Sequence, residues 1–151
     1  MSRHRMPDPM AKRFGYVLKC AQHVLRSRMD EALRPLGLTT PQYTVLSAVE
    51  LDAGISNASL ARAALVSPQS MHGVLANLVR DRLLLRDPDP VHGRILRSNL
   101  TKRGRQVLAE AHKRVREVED VMIASIGREG AMRLADALSK CAESLGASVH
   151  S

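Results

Sequence analysis

Apolar residues in this chain recur at steps of three and four almost throughout. Only between Leu83 and Leu100 does the period fall to two. Steps of three and four keep side chains on one face of a helix, and a step of two keeps them on one face of a strand. The fold is therefore mainly α, with one small β-hairpin.

The first stripe starts at about Ala11 and joins Phe14, Val17, Leu18, Ala21, Leu25, Met29 and Leu33, until Pro35 and Gly37 stop it. Thr39 with Gln42 has capping-box spacing and opens a second helix through Tyr43, Val45, Leu46, Ala48 and Val49, ending before Gly54. Ser56 opens a short third helix that turns Leu60, Ala61 and Ala64 inward. Ser67 opens a fourth, with Pro68 at the first helical position, where a missing N–H costs nothing, and with Met71, Val74, Leu75 and Leu78 inside. Leu83 to Arg86 reads as a strand, Asp87 to Gly93 as turn formers and Ile95 to Leu100 as the returning strand. Thr101 caps a long helix striped by Leu108, Ala111, Val115, Val118, Met122 and Ile126, broken by Gly127 and Gly130. A last helix carries Leu134, Leu138, Cys141, Ala142 and Leu145. Residues 1–10, with Pro7, Pro9, Arg3 and Arg5, read as a flexible basic arm. The long terminal stripes have few local partners, and a bundle shared between two subunits would cover them.

Charge points to the partner. The net charge is +8 and the pI near 10.3. The excess is placed in two blocks, +5 over residues 1–34 and +6 over 62–105. That favours a polyanion. Aromatic residues are only 2% and Trp is absent, so there is no stacking platform for single-stranded bases. Duplex DNA fits better. No apolar run approaches the roughly 18 residues of a membrane span, and the N-terminus lacks the apolar core of a secretory signal. Two cysteines without a CxxC make neither a disulfide scaffold nor a metal site, which suits a reducing cytoplasm.

Ser56 to Leu78 has helix–turn–helix spacing, in which the second helix offers its N-terminal residues to base edges in the major groove. Those residues are Ser67, Pro68, Gln69, Ser70 and His72, with Asn77 further along. Gln makes a bidentate pair with adenine, and Ser bonds either kind of base pair. Ser56 and Ser59, at the start of the preceding helix, are placed for phosphate. The hairpin carries Arg86, Asp89, His92, Arg94 and Arg97. An Arg-tipped ribbon suits the strongly negative minor groove, with Asp89 holding an arginine in place. Lys102 and Arg103 open the next helix, where the dipole disfavours cations and a nearby phosphate would favour them. The alternatives are a plain helical hairpin with solvated polar faces and a sequence-indifferent architectural DNA-binding protein.

Taken together, Leu38-Thr39-Thr40-Pro41-Gln42-Tyr43-Thr44-Val45-Leu46, Ser59-Leu60-Ala61, Ser67-Pro68-Gln69-Ser70-Met71, Asp87-Pro88-Asp89, Gly93-Arg94 and Leu100-Thr101-Lys102-Arg103-Gly104 resemble the MarR family of winged helix–turn–helix transcriptional regulators. The resemblance covers about residues 11–147. It implies a single domain with dimerisation helices at about 11–35 and 102–147 and a winged helix–turn–helix at about 39–101. It further implies a homodimeric repressor on a pseudo-palindromic operator, with Ser67–Arg80 as recognition helix, Asp87–Asn99 as wing and Arg94 as the wing-tip arginine. Four positions depart from the pattern. Leu65 and Arg82 stand where the family often has glycine, His92 stands where an acid usually lies two residues before the wing arginine, and Gly73 lies within the recognition helix.

The resemblance also implies a small aromatic or anionic effector, for which Tyr16, Cys20, His23 and Tyr43 are candidate lining residues; packing is the plainer role of Cys20 and Tyr43. Some relatives sense peroxide through a cysteine near the start of the first helix. Cys20 lies about a turn beyond that position, which falls near Gly15, so thiol-based redox sensing through Cys20 is only an alternative. No GxSxG, HExxH, P-loop or GxGxxG occurs, and the histidines have no metal-ligand spacing. The chain is expected to be neither an enzyme nor dependent on a metal or cofactor.

Overall fold

The computed structural model describes residues 13–94 and 96–147. The basic arm, Ala11 and Ile95 lie outside the described residues. The chain divides into two compact units, Met1–Val115 and Arg116–Ser151.

In the first unit, α1 (Phe14–Leu33) runs into a 3-10 turn (Arg34–Leu36), followed by α2 (Thr40–Leu51), α3 (Asn57–Ala63) and α4 (Pro68–Arg80). Strands β1 (Leu84–Pro88) and β2 (Leu96–Leu100) pair antiparallel, with Leu84 opposite Leu100 and Pro88 opposite Leu96. The first strand thus starts one residue later and ends two residues later than the sequence reading. Pro88 is tolerated because a two-stranded ribbon has a free edge that needs no N–H donor. Helix α5 (Lys102–Ser144) follows.

Side-chain caps set the helix starts. Thr39 and Gln42 form the capping box, Ser56 accepts from the Ser59 N–H, and Ser67 accepts from the Ser70 N–H. The core is apolar and drawn from the four helices α1 to α4, β1 and the start of α5: Leu33, Val45, Leu46, Leu60, Met71, Leu75, Leu78, Leu84 and Leu108 are among the residues it buries, with Leu36 and Leu100 packed against it. Burying a leucine contributes about 1.5–3 kcal/mol, so this cluster fixes the arrangement of α2, α3, α4 and the hairpin.

Three chain reversals share one geometry. After α1, Gly37 at φ +68 donates to Arg34 O, and Leu38 N donates back to Leu33 O. After α3, Leu65 at φ +53 donates to Arg62 O and Val66 to Ala61 O. After α4, Arg82 at φ +58 donates to Val79 O and Leu83 to Leu78 O. Each has the paired bonds and left-handed residue of a Schellman helix end. Glycine enters that conformation freely; an L side chain pays about 1–2 kcal/mol. The two positions where the family often has glycine are therefore left-handed in this chain too, with Leu65 and Arg82 held there by the helix-end hydrogen bonds.

In α5 the backbone is non-helical at Gly127 (φ 75, ψ 157), while Gly130 stays helical, so the break lies at the first glycine alone. In the second unit none of the described residues is buried. Val121 (72% exposed), Met122, Ile126, Met132 and Leu134 all face outward. In the first unit, α1 buries only Leu33 and leaves Phe14 (62% exposed), Val17, Leu18 and Val24 uncovered. The sequence pattern places Phe14, Val17 and Leu18 on a stripe with few local partners, and they are exposed here.

Candidate nucleic-acid interface

Helix α4 separates its faces sharply. Met71, Leu75 and Leu78 are buried, while Ser67, Pro68, Gln69, Ser70, His72 and Gly73 are exposed. The first turn is thus a polar surface on a rigid base. The Ser67 hydroxyl donates to Ser70 Oγ (2.9 Å) and accepts from the Ser70 N–H (3.0 Å). These two serines therefore build the start of the helix, leaving Gln69 and His72 as its longer projecting polar side chains. Asn77 is half-buried and lies two turns further on.

The same Ser-x-x-Ser cap opens α3. Ser56 Oγ donates to Ser59 Oγ (3.1 Å) and accepts from Ser59 N (3.1 Å), and Arg62 Nη2 donates to Ser59 Oγ (2.9 Å). Arg62 is thus placed beside Ser56 and Ser59 and adds positive charge there, a residue that sequence reasoning passed over.

The hairpin packs on α4 through β1. Its order comes from Asp89, which is buried. One carboxylate oxygen accepts from the Val91 N–H (2.7 Å) and the His92 N–H (2.9 Å), and the other accepts from Arg97 Nε. The His92 and Val91 N–H groups first, then Arg97, hold its pKa below the ordinary 3.8, against the opposing effect of burial. Asp89 therefore fixes Arg97 and the turn together. Arg94 is exposed at the tip, and so is His92. Arg86 is placed differently. It is half-buried, its Nη2 donates to Asn57 Oδ1 (2.9 Å), and its Nε is buried without a hydrogen-bond partner among the described residues. Arg86 ties the hairpin to the start of α3.

The hairpin root is clamped to α5. Thr101 N donates to Leu83 O (3.1 Å), Thr101 Oγ1 donates to Arg82 O (2.7 Å), and Gly104 N donates to Thr101 Oγ1 (2.8 Å). Lys102 and Arg103 are exposed, and Arg105 Nη1 donates to Leu100 O (2.8 Å).

The candidate effector residues are spread over α1 and α2. Tyr16 is half-buried, and Cys20 and His23 are exposed. Interaction with the Cys20 side chain, one turn along the helix, raises the Tyr16 phenol above its ordinary 10.0. Tyr43 is half-buried. Its hydroxyl lies 2.9 Å from His112 Nδ1, the two rings meet edge to face, and His112 Nε2 lies 3.0 Å from Glu50. Neither His112 nor Glu50 was singled out from the sequence. Their separations of 69 and 62 residues from their partners leave no local signal.

The comparisons agree with this architecture. The profile of the MarR family matches residues 36–95. The HTH-type transcriptional repressor Rv2887 of Mycobacterium tuberculosis is 38% identical over 112 residues, 74% of this chain and 81% of that protein. The crystal structure of Rv2887 with salicylic acid is 34% identical and covers 85% of this chain and 96% of that one, with a TM-score of 0.71. The transcriptional repressor CouR bound to a 23-mer DNA duplex is 27% identical and covers 93% of this chain and 99% of its own, with a TM-score of 0.83.

Proposed function

Because the chain belongs to the MarR family of winged helix–turn–helix transcriptional regulators, we propose that it is a sequence-specific repressor that binds duplex DNA as a homodimer. One observation carries the reading. Helix α4 is seated on the core by Met71, Leu75 and Leu78, and its first turn presents Gln69 and His72 to solvent beside a hairpin whose tip carries Arg94. A helix so presented inserts its start into a major groove, and the exposed arginine enters the adjoining minor groove. The Ser56–Ser59 cap with Arg62, and Lys102 with Arg103, supply phosphate contacts that set register without reading sequence.

The homodimer rests on the uncovered apolar residues of α1 and of the second unit. A helix of this length is not stable in water with its stripe exposed, and a second copy supplies the missing surface. Two copies make the operator a pseudo-palindrome. The chain works in the cytoplasm and catalyses no reaction; among the described residues no helix is long and apolar enough to cross a membrane. A small aromatic acid is the effector class. Rv2887 has been solved with salicylic acid and CouR with p-coumaroyl-CoA, and Tyr16, Cys20, His23 and Tyr43 are the candidate contacts.

The test is a footprint with the intact chain on DNA flanking its own coding region, alongside the mass of the free protein by sedimentation. A dimer that protects a site with two-fold symmetry is expected. A monomer, or uniform protection of unrelated duplexes, contradicts the proposal.

A further inference from the structure

We propose that Leu65, in the turn between α3 and α4, makes an apolar contact with duplex DNA at the lip of the major groove, on a thymine C5-methyl or a deoxyribose carbon. The contact rests on the reading of α4 as the recognition helix. It adds a residue in which this chain departs from its family, where the position is often glycine.

Folding accounts for Leu65 on neither of two counts. Its backbone is left-handed at φ +53, a conformation that glycine enters freely and an L side chain does not. Its side chain is 91% exposed, so burial does not offset that strain. The residues on either side behave otherwise, since Ala64 and Val66 pack against the core. Nor does the turn need the isobutyl group. Leu65 N donates to Arg62 O (3.1 Å) and Val66 N to Ala61 O (3.0 Å), and a glycine at 65 would make the same backbone bonds. One exposed apolar residue is ordinary on a protein surface. An exposed leucine held in a strained conformation carries a second cost, and a contact outside the chain offsets both.

The place of Leu65 names the occupant. It stands two residues before Ser67, whose hydroxyl caps α4, so the two Cα atoms are at most about 7 Å apart. The major groove is about 12 Å wide and 8.5 Å deep. With the first turn of α4 in that groove, Leu65 lies inside it or at its lip. The polar side chains next to it are engaged locally, Arg62 with Ser59 (2.9 Å) and Ser67 with Ser70 (2.9 Å). Leu65 therefore presents an apolar surface in an otherwise polar setting. The matching apolar surfaces of DNA are the thymine methyl on the groove floor and the sugar carbons along its wall.

The experiment uses the intact chain on its footprinted site and on a scrambled duplex, by fluorescence anisotropy at one salt concentration, with thermal unfolding alongside. Leu65→Ala keeps the strain and removes the isobutyl group; it should bind the site about three- to tenfold more weakly with Tm unchanged. Leu65→Gly should lose the same affinity while its Tm rises by about 2–4 °C. Leu65→Met should bind within about twofold of wild type. Replacing the site's thymines by deoxyuridine one at a time identifies the contact. A several-fold loss at one position for wild type and none for Leu65→Ala assigns a methyl. No effect at any position, with equal losses for Leu65→Ala on both duplexes, assigns the sugar. Wild-type affinity in Leu65→Ala, on a site that the wild type protects, overturns the contact alone. So does a loss in Leu65→Gly but not in Leu65→Ala, which traces the effect to a loosened turn. A wild type that does not prefer its site to the scrambled duplex overturns the reading of α4 and this contact with it.

Discussion

Replacing Gly104 by alanine places a methyl group where the fold already has a carbonyl. The new Cβ would lie 2.1 Å from Leu83 O, 3.0 Å from its carbonyl carbon and 3.3 Å from its Cα, against ordinary contacts that begin at 3.4 Å. The backbone must open by more than 1 Å. Leu83 yields poorly, since its side chain is buried, its N–H donates to Leu78 O at 2.9 Å, and its carbonyl accepts from Thr101 N at 3.1 Å. Overpacking of this kind costs about 1–3 kcal/mol, and each hydrogen bond weakened at the hairpin root adds about 1 kcal/mol. The expected loss is roughly 2–4 kcal/mol, or a Tm lower by about 5–15 °C for a chain of this size. Gly73→Ala is the matched control. Nothing lies within 4 Å of a Cβ at Gly73, and its exposed mid-helix position favours alanine by about 1 kcal/mol. Urea and thermal unfolding by circular dichroism, at one protein concentration because dimerisation shifts Tm, should therefore separate two Gly→Ala changes of opposite sign. A Gly104→Ala protein within about 0.5 kcal/mol of wild type would refute the close approach of α5 to the hairpin root.

Arg82→Gly should raise unfolding stability by about 1 kcal/mol in the same assay by relieving the left-handed backbone; a loss would mean that the Arg82 side chain does more than tolerate φ +58. Arg94→Ala should weaken DNA binding about tenfold with an unchanged unfolding curve, and undiminished affinity in gel-shift titrations would remove the tip arginine from the interface. The Asp89 clamp depends on a depressed carboxylate pKa. It is therefore fully present above the unfolded value of 3.8 and lost only as pH falls through the still lower folded value. Hydrogen-exchange protection of the Val91 amide should accordingly hold steady from pH 5 to 8, and a transition in that window would contradict the clamp.

Periodicity and capping chemistry made most of the fold legible. The Thr39–Gln42 capping box, the Ser56 and Ser67 caps and the period change at Leu83 are local signals, and each element begins within a few residues of them. Asp89 was also legible as a residue that holds an arginine, although only the folded turn identifies Arg97 as its partner. Arg86 illustrates what was not. Its spacing in the hairpin matches that of a DNA contact, but its guanidinium meets Asn57, 29 residues away, a pairing that no local pattern encodes. The His112 bridge between Tyr43 and Glu50 was hidden for the same reason. The left-handed residues were hidden differently, because Leu65 and Arg82 are not residue types that announce that conformation.

The most direct test of the central claim, that the first turn of α4 reads bases, is the ratio of affinities for the footprinted site and a scrambled duplex, measured for wild type and Gln69→Ala at one salt concentration. The account predicts that Gln69→Ala lowers affinity for the site by about tenfold or more and leaves the scrambled duplex unchanged. Equal losses on both duplexes, or none on either, would contradict it.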